Sequence, residues 1–402
     1  MNIIYISYDG MTDPLGQSQV IPYVIELTKK GYNFIIMSYE KPDRFKQLGG
    51  SVRKQLDGNS VKWKPLRYHK RFSILATSYD VFIGFLYLSF FIPGHKIKTL
   101  HCRSYIASVF GVLFRKIYGT KFIFDMRGFW ADERVEGRIW KGKGVLYRLV
   151  KLFERKMLKN ADEIIVLAES ARAIIRSWGY PVNNVSVIPC CTDTDYFKSD
   201  TGIPSLLRKR HSLTGKFVFV HTGSLEYWYM KEAMLDYFKI AKEFAPQAHF
   251  LILSHSDKRE ISKLIQDKNI SINDFTMLSV PFVDMPEYLA MADVGLIFIT
   301  PVFSKKASCP TKFAEYLSCC LPVIVNNKIG DLEDCVTENN IGVVVRDFNE
   351  NEYRQTFKRL LNLLNDKDLK ARCRRVACDN FSLNSGVSRY YEVYSRLNGL
   401  LC

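Results

Sequence analysis

The chain has 402 residues, of which 47% are hydrophobic and 24% are charged. This composition is typical of a globular protein, excludes a disordered chain, and supplies enough length for two α/β domains. The formal net charge of +16 at pH 7 favours anionic partners, which include nucleic acids, anionic membrane surfaces and phosphorylated ligands. A protein that binds nucleic acid concentrates its basic and aromatic residues on one helix or strand. Here the basic residues are spread along predicted helices such as 147–159 and 358–375, so we expect no nucleic-acid partner.

The beginning of the chain, Met1 to Ser7, predicts a strand rather than a targeting segment. It has no basic stretch, no long apolar stretch and no cleavage site. The most apolar segment, Val81 to Pro93, has about half the length of a membrane span. We therefore expect a cytoplasmic protein that is soluble or peripheral to a membrane.

The ten cysteines show none of the spacings of a metal site. Cys190-Cys191 and Cys319-Cys320 are adjacent pairs with no histidine close to either pair in sequence, and no Cys-x-x-Cys pattern occurs. We therefore expect reduced thiols, no metal ion and no cofactor.

Short apolar runs alternate with segments of helical periodicity in the first half of the chain. In one such segment an apolar stripe lies along a single helix face: Leu146, Leu149, Val150, Phe153 and Met157. Alternation of strands and helices predicts mostly parallel sheets with helices on both faces. The strands predicted in this half are 3–6, 34–37, 99–100, 121–124 and 164–167.

The alternation restarts after a polar segment, 196–213, which contains Pro204 and is predicted to be a linker. The strands predicted after it are 217–220, 250–253, 275–280, 294–299, 322–325 and 341–345. We therefore place two Rossmann-like, doubly wound domains at 1–196 and 197–379, facing each other across a cleft. The aromatic run 384–396 predicts a C-terminal helix within 380–402. Its periodicity does not settle which domain it covers, and packing back onto the first is one option.

A loop of small residues follows the first predicted strand and leads into a helix. It runs from Tyr8 to Ser18 and includes Gly16 and Gln17. Such a loop can present backbone amides to an anion, although a simple turn explains Gly16 equally well. It lacks the Gly-x-Gly-x-x-Gly and Walker patterns, which disfavours a dinucleotide or ATP site.

Polar side chains follow two consecutive strands of the first half. His101 and Arg103 come after one strand, and Asp125, Arg127 and Glu133 come after the next. Open α/β sheets bind ligands at the carboxyl ends of their strands, so these residues are candidates for a site. The alternative is that Asp125 with Arg127, or Glu133 with the arginine beside it, forms an ion pair that holds the loop.

A helix start with unsatisfied amides is predicted in the second half. Pro310 suits a first helical turn, and Cys309 before it is a poor N-cap. The amides of Thr311 and Lys312 then have no internal acceptor, and a phosphate would satisfy them, with the Lys312 ammonium adding charge. Glu315, one turn further on, could accept hydrogen bonds from ribose hydroxyls. Lys312 and Glu315 could instead form a simple i, i+3 ion pair.

Taken together, these segments resemble glycosyltransferase family 4, a retaining family of GT-B fold. Residues 188–197, IPCCTDTDYF, are similar to the family's interdomain signature, with Cys190 and Cys191 at its Asn and Gly positions. Residues 298–325, which contain the stretch 310–317 and the run 321–324, resemble its donor-binding motif. Gly16-Gln17-Ser18-Gln19 matches the N-terminal glycine loop of a subgroup that acts in surface-polysaccharide synthesis.

The sequence departs from the family pattern at two places. The first Glu of the family's Glu-x7-Glu motif falls on Ala307, and only the second survives, as Glu315. The family's Gly-Arg-Leu reads Gly223-Ser224-Leu225, and Lys231 is a displaced candidate for the lysine that binds the donor phosphate. These departures concern the phosphate and sugar-hydroxyl contacts, whereas the rest of the pattern holds.

The resemblance implies a metal-independent, retaining transferase that moves a sugar from a nucleotide-sugar donor, expected to be UDP-linked. The acceptor it implies is a saccharide or lipid-linked saccharide in bacterial lipopolysaccharide or capsule synthesis, at the inner face of an anionic membrane. The donor contacts it implies are Gly16, Gln17, Gly223, Ser224, Lys231, Thr311, Lys312 and Glu315. On the first domain it implies catalytic roles for Asp125, His101 and Arg127 and acceptor contacts from Arg103 and Glu133.

Two other interpretations stay open. A catalytically silent GT-B subunit could serve as a scaffold for an active partner, and the two motif departures favour it. A nucleotide-sugar 2-epimerase shares the two-domain architecture, although its motifs differ from residues 310–317.

Overall fold

The computed structural model describes residues 1–69, 73–198 and 203–399. They form two compact units: the first unit holds Met1–Pro189 and the C-terminal segment from Gly386, and the second unit holds Cys190–Ser385. Residues 190–196 were predicted to lie in the first domain, whereas they lie in the second unit. They are held there because Phe197 is buried in that unit's core and Thr192 forms a β-bridge with Ser382.

The first unit is built on a seven-stranded sheet. Its strands are β1 (Asn2–Ser7), β2 (Asn33–Glu40), β3 (Lys62–Arg67), β4 (Thr99–Arg103), β5 (Lys121–Asp125), β6 (Glu163–Val166) and β7 (Val185–Val187). They lie in the order β3-β2-β1-β4-β5-β6-β7, and every pair is parallel. The helices that connect them are α1 (Pro14–Gln19), α2 (Ile21–Lys29), α3 (Pro42–Asp57), α4 (Ser73–Gly94), α5 (Ser104–Tyr118), α6 (Trp130–Glu136), α7 (Val145–Asn160) and α8 (Glu169–Ser177).

The second unit is built on a six-stranded sheet. Its strands are β8 (Phe217–Thr222), β9 (Ala248–Leu253), β10 (Phe275–Leu278), β11 (Val294–Ile297), β12 (Val323–Asn326) and β13 (Gly342–Val345). They lie in the order β10-β9-β8-β11-β12-β13, again with parallel pairs. Its helices are α9 (Ile203–Arg210), α10 (Lys231–Phe244), α11 (Lys258–Asp267), α12 (Met285–Leu289), α13 (Thr311–Ser318), α14 (Leu332–Asn339), α15 (Glu350–Leu364) and α16 (Leu369–Phe381).

Both sheets have the doubly wound strand order of Rossmann-like domains, so the predicted fold class is confirmed. In such sheets the chain changes direction across the sheet at a switch point, where ligands bind outside the carboxyl ends of the strands. The switch points fall between β1 and β4 in the first unit and between β8 and β11 in the second.

The last helix, α17 (Leu383–Leu397), confirms the helix predicted from the aromatic run near the C-terminus. From Gly386 onward it belongs to the first unit. Tyr394 is buried there and packs edge-on against Phe34 of β2, with 5.7 Å between ring centroids. The C-terminal segment therefore packs onto the first unit.

Several predicted boundaries differ from the structure. β4 runs to Arg103 instead of ending at residue 100. The predicted strand was too short because the polar residues at its end are buried and give no apolar pattern. The segment predicted as a linker contains α9, with Pro204 in its first turn, where a missing amide costs little. The basic stretch 358–375 is shared by two helices, α15 and α16, rather than lying along one.

The helix α4 is longer than the apolar run from which it was predicted. It spans 22 residues, or about 33 Å, so the estimate of half a membrane span was wrong. It is also the one helix in the described part of the chain that is long and apolar enough to cross a membrane, and 28% of its apolar window is buried.

The two faces of α4 have different surroundings. One face packs into the first unit through Asp80, Gly84, Leu88 and Ile92, and a Cβ at Gly84 would lie 2.2 Å from the Tyr39 hydroxyl oxygen. The opposite face exposes large apolar side chains, which we call the apolar stripe: Leu75, Tyr79, Phe82, Leu86 and Phe90. The helix is thus anchored in the fold along one side only.

Candidate functional site

The start of α13 lies in the second unit and carries two predicted site residues. Thr311 and Lys312 are its first two residues, and Pro310 before them provides no side-chain cap. The amide of Phe313 donates to the Pro310 carbonyl oxygen at 3.0 Å. The sequence predicted Cys309 as the N-cap and Pro310 in the first turn, whereas Pro310 is itself the N-cap residue. The first amides of the helix lack a capping side chain, as predicted, and present partial positive charge at this end.

The ammonium group of Lys312 is buried beside His221 and Tyr229, neither of which is a carboxylate. Its Nζ lies 3.3 Å from His221 Nε2 and 3.7 Å from the centroid of the Tyr229 ring. Among the described residues, no carboxylate oxygen lies within 4 Å of it, so the alternative of an ion pair with Glu315 is not realised. Burial lowers the pKa of Lys312 to about 7. When Lys312 is protonated, its charge therefore has no carboxylate at ion-pair distance among the described residues.

His221, at the carboxyl end of β8, is the neighbour that the sequence analysis missed. Burial, followed by the nearby Lys312 charge, lowers the pKa of His221 to about 3, so its ring is neutral. Its Nδ1 lies 3.0 Å from the Leu296 carbonyl oxygen, to which it donates. In that tautomer Nε2 is an acceptor, and it receives a hydrogen bond from the Lys312 ammonium.

The turn after β8 brings its backbone close to the lysine. Gly223 has a φ of +86°, and a Cβ added there would lie 3.6 Å from Lys312 Nζ. The Ser224 hydroxyl accepts from the Glu226 amide at 3.0 Å. The structure therefore brings Gly223 and Lys312 together, and Gly223 has no side chain to fill the space beside the ammonium.

Glu315 lies one helical turn beyond Lys312 and is partly buried. Burial raises the pKa of Glu315 to about 7, while the Lys312 charge opposes this increase. The nearby Cys309 interacts with Cys190, and that interaction together with burial raises the pKa of the Cys309 thiol. Glu315 and Cys190, which stand at the family's Glu and Asn positions, therefore lie in the same part of the second unit.

A cavity of about 350 Å³ opens at the carboxyl ends of β8, β9 and β10. Its wall contains Gly223, Ser224, Glu226, Leu253, Ser254, His255, Ser256, Val280 and Met285. The size lies within the range of small-molecule sites. The turn at Gly223 therefore borders both this cavity and the buried ammonium.

Lys231 lies elsewhere on the second unit. It is the first residue of α10, and its ammonium forms an ion pair with Glu260 of α11. Among the described residues, no contact joins it to Lys312 or Glu315. Its predicted role in binding the donor phosphate stays a prediction, and it requires the pair with Glu260 to open.

A buried cluster lies at the carboxyl ends of β4 and β5 in the first unit, as predicted. Asp125 is fully buried and lies 3.6 Å from Arg127 Nη1, 3.7 Å from Arg103 Nη1 and 3.5 Å from His101 Nε2. Burial alone would raise the pKa of Asp125, but Arg127 and His101 outweigh it and lower that pKa. The carboxylate is therefore ionised, and the predicted structural ion pair with Arg127 is present as well.

His101 links this cluster to α17. Its Nδ1 lies 2.6 Å from the Tyr394 hydroxyl, and its ring stacks on Tyr5 with 4.3 Å between centroids. Burial lowers the pKa of His101, so the ring is neutral, accepts from Tyr394 at Nδ1 and donates to Asp125 from Nε2. Both nitrogens are occupied, which suits a residue that positions Asp125 and the C-terminal helix.

Both strand ends adopt a backbone conformation that is uncommon for residues with a side chain. Arg127 has a φ of +58°, and Ser104, directly after β4, has a φ of +67°. Non-glycine residues in this region occur mainly where the surrounding structure enforces them, and functional sites are enriched in them. Glu133 lies further along, on α6, and is partly buried.

The amides of the N-terminal loop are satisfied by the protein itself. Glu40, at the end of β2, accepts from the Met11 amide at 2.7 Å and from the Thr12 amide at 3.1 Å. A Cβ at Gly16 would lie 2.2 Å from the Gly10 carbonyl oxygen, so Gly16 permits the close approach of α1 to this loop. Gln17 lies in the same short helix. The anion that the sequence predicted for these amides is thus the Glu40 carboxylate.

In residues 1–69, 73–198 and 203–399, no group of three or more His, Cys, Asp or Glu side chains is arranged to hold a metal ion. The cysteines of the described residues are free thiols.

Two family profiles match the chain, each largely on one unit. The profile described as Glycosyltransferase Family 4 matches residues 21–196, and the one described as Glycosyl transferases group 1 matches residues 205–377. Together they span most of the chain in the order of the predicted domains. The chain is a glycosyltransferase of GT-B type.

The glycosyltransferase also resembles solved structures over nearly its whole length. Sucrose-phosphate synthase from Thermosynechococcus elongatus is 17% identical, with a TM-score of 0.77 and 100% of both chains covered. HepE from Anabaena, in complex with UDP and glucose, is 14% identical, with a TM-score of 0.73 and coverage of 98% of this chain and 99% of that one. WaaG, a glycosyltransferase involved in lipopolysaccharide biosynthesis, is 11% identical, with a TM-score of 0.65 and coverage of 97% and 98%. No curated protein sequence matches the glycosyltransferase.

The glycosyltransferase has a further buried lysine within residues 298–325, the stretch that resembles the donor-binding motif. The sequence did not predict it. Lys305 is 7% exposed, and its Nζ lies 3.8 Å from the centroid of the Trp228 ring. Lys305 precedes Ala307, the position of the missing first glutamate, by two residues. The sequence offered no periodic signal for it, because an isolated lysine in a loop is ordinarily solvated.

Proposed function

We propose that this glycosyltransferase moves a sugar from a UDP-linked donor to a saccharide or lipid-linked saccharide. The observation that carries the proposal is the buried Lys312 ammonium at the start of α13, which lacks a carboxylate partner within 4 Å among the described residues. A diphosphate supplies the missing negative charge and accepts from the free first-turn amides. The solved structure of HepE with UDP and glucose supports UDP as the nucleotide.

The proposed donor site is assembled on the second unit. The diphosphate lies against Thr311, Lys312 and the turn at Gly223. Gly223, with a φ of +86°, has no side chain that would exclude the diphosphate. Glu315 accepts from the ribose hydroxyls, and Ser224 and the cavity beside it receive the rest of the nucleotide. Lys231 joins the site once its ion pair with Glu260 opens.

The proposed reaction retains the anomeric configuration and uses no metal ion. The bond between the anomeric carbon and the donor phosphate oxygen breaks, and a bond to the acceptor oxygen forms on the same face. The acceptor proton passes to the departing phosphate oxygen, so no side chain is an obligate base. Preorganised positive charge from Lys312 and the helix start stabilises the diphosphate as it leaves, which is the work that a divalent cation does in other sites.

The first unit binds the acceptor in this proposal. The Asp125 carboxylate, held ionised by Arg127 and Arg103, orients an acceptor or donor hydroxyl, and Glu133 contributes from α6. His101 acts through Asp125 and the C-terminal helix, because both of its ring nitrogens are occupied. Gly16 and Gln17 shape the N-terminal loop instead of binding phosphate through its amides.

A peripheral position on the inner face of a bacterial membrane suits the exposed side of the first unit. The apolar stripe of α4 supplies an interfacial face, and the net charge of +16 favours anionic lipid. WaaG, with a similar fold, acts in lipopolysaccharide biosynthesis. We therefore propose a lipid-linked acceptor in the synthesis of lipopolysaccharide or capsule.

A second candidate is a GT-B subunit without activity that serves as a scaffold. Ala307 at the first glutamate position and Ser224 at the arginine position favour it. A nucleotide-sugar 2-epimerase is less favoured, because residues 205–377 match transferases. Product analysis separates the three, since only the transferase consumes an acceptor and releases a free nucleoside diphosphate with it.

The proposal is tested by screening a panel of nucleotide sugars for thermal stabilisation of the full chain. Stabilising compounds are then assayed for transfer to saccharide and lipid-linked acceptors, with and without a metal chelator. Transfer that persists in chelator and yields a retained linkage supports the proposal. Nucleotide binding without transfer favours the scaffold, and the lack of any binding contradicts both.

A further inference from the structure

A second cavity lies entirely within the first unit, at its switch point. It has a volume of about 430 Å³, and its wall includes Tyr8 and Asp9 after β1 and Arg103 and Ser104 at the end of β4. Ligands bind outside the carboxyl ends of strands at such points. The cavity is formed without any contribution from the second unit, so its chemistry follows from the first unit alone.

Arg103 is a buried side chain in this wall with unused hydrogen-bonding capacity. It is 3% exposed, and its Nε and Nη1 have no hydrogen-bond acceptor among the described residues. The nearest carboxylates lie 3.9 Å away, at Asp9, and 3.7 Å away, at Asp125. A buried guanidinium with unmatched donors is costly, and a phosphate satisfies it with two parallel hydrogen bonds.

The other charges of the cavity leave room for a negative group. Asp13 is already matched by two cations, with Lys41 at 2.9 Å and Arg44 at 3.4 Å. Arg134 is stacked over Trp130, with 5.1 Å from its guanidinium carbon to the ring centroid, and no carboxylate of the described residues pairs with it. Arg103 also lies near Asp125 behind the wall, so within the cavity wall Asp9 is the one carboxylate left to oppose Arg103 and Arg134.

The cavity wall also has a large apolar component. It includes Ile74, Ile106, Ile139, Leu146 and Val150, together with Trp130 and Trp140. Outside the cavity, the same surface exposes Val145 and Leu149 of α7. A ligand with one charged end and one apolar end matches both components of the wall.

We propose that this cavity binds the phosphate group of an amphiphilic acceptor, with Arg103 and Arg134 on the phosphate. The apolar chain leaves along Ile139 and Leu146 toward the exposed residues of α7. This inference rests on the proposed function in that it names the class of acceptor. The phosphate binding itself requires no donor and no transfer.

The experiment titrates the full chain with octyl phosphate, octyl glucoside and inorganic phosphate, below the micellar concentration. Binding is followed by the fluorescence of tryptophan, since two of the five tryptophans line the cavity. Octyl phosphate is expected to bind at least about tenfold more tightly than either other ligand. Equal binding of octyl glucoside overturns recognition of the anion, and equal binding of inorganic phosphate overturns recognition of the chain.

Variants locate the binding. Arg134→Gln is expected to weaken octyl phosphate about tenfold, because it removes one charged hydrogen bond. Arg103→Gln is expected to weaken it further where the fold persists, as judged by circular dichroism. Lys116→Gln, an exposed change on α5 outside the cavity, is the matched control and should leave binding unchanged. Unchanged binding in Arg134→Gln contradicts the proposal even when Arg103→Gln does not fold.

Failure of this inference can be separated from failure of the proposed function. Lys312→Met is expected to lose UDP binding and to keep octyl phosphate binding, because the two sites lie in different units. UDP binding without octyl phosphate binding leaves the donor site intact and overturns the inference alone. Octyl phosphate binding without UDP binding supports the inference and overturns the proposed donor site.

Discussion

Lys312 Nζ lies 3.3 Å from His221 Nε2, which makes a neutral histidine the hydrogen-bond acceptor of a buried ammonium. The two residues lie on different elements, α13 and β8, and meet beside the turn at Gly223. A histidine in place of a carboxylate fixes the direction of the lysine without cancelling its charge. The charge thus remains available to a ligand, at the expense of the stability of the empty protein.

The first prediction concerns that stability. Lys312→Met removes the buried charge while keeping the length of the side chain, so the free energy of unfolding of the empty protein should rise by about 1–4 kcal/mol. UDP should no longer stabilise this variant. Thermal and chemical unfolding with and without UDP measure both effects. Lys263→Met, on α11, is the control and should change neither quantity appreciably.

The second prediction is a proton taken up on donor binding. Burial lowers the pKa of Lys312 to about 7 in the empty protein, and a bound diphosphate raises it again. From pH 7 to pH 9 the lysine of the empty protein changes from about half neutral to almost wholly neutral, so the proton uptake on binding should rise from about one half toward one. UDP affinity should therefore fall as pH rises through this range. Calorimetry in buffers of different ionisation enthalpy measures the uptake, which Lys312→Met should abolish.

The third prediction concerns the pH dependence of stability without ligand. The folded pKa of Lys312, about 7, lies below its ordinary value of 10.5, so between these values the unfolded state binds more protons. The contribution of Lys312 to stability therefore rises with pH from 7 to about 10. Glu315 has a folded pKa raised from 4.5 to about 7, so its contribution falls as pH rises from 4.5 to 7. Unfolding curves of Lys312→Met and Glu315→Gln across these two ranges, compared with the parent, test each sign.

The sequence predicted the order of the elements because both sheets are buried on both faces. Buried parallel strands such as β8, FVFVHT, read as continuous apolar runs. Edge strand β3, KWKPLR, was missed because one face is exposed and Pro65 breaks the pattern. β4 was cut short because its residues His101 and Arg103 are buried polar groups, which no apolar pattern signals.

The candidate site could be predicted only in part. Pro310, Lys312 and Glu315 were found because helix starts have a local sequence signature. His221 and Tyr229 were missed because their contact with Lys312 joins residues more than eighty positions apart, which no local pattern reports. The N-terminal loop was assigned to an anion, and the anion proved to be Glu40, since a carboxylate from β2 competes for the same amides.

The fourth prediction uses the glycines of the first unit. Gly16→Ala should destabilise the first unit by about 1–3 kcal/mol, because its Cβ would meet the Gly10 carbonyl oxygen at 2.2 Å. Gly50→Ala is the matched control. It lies on an exposed face of α3 with nothing within 4 Å, so it should stabilise the helix by up to about 1 kcal/mol. Urea unfolding measures both, and equal effects of the two changes would contradict the packing described for Gly16.

The fifth prediction concerns the apolar stripe of α4. The parent protein should bind vesicles containing anionic lipid more strongly than neutral vesicles, and high salt should weaken the binding. The combined change Leu75→Ser, Phe82→Ser and Phe90→Ser should reduce binding by about tenfold or more. Leu206→Ser, an equally exposed position on α9, is the control and should have little effect. Binding that survives the triple change would place the membrane contact elsewhere.

The central claim is that the second unit binds a nucleoside diphosphate through Lys312. The direct measurement is calorimetric titration of UDP into the parent, Lys312→Met and Lys263→Met proteins at pH 7. We expect binding to the parent and to Lys263→Met and a loss of at least about tenfold in affinity for Lys312→Met. Equal affinity in all three proteins, or no binding to the folded parent, would contradict the account.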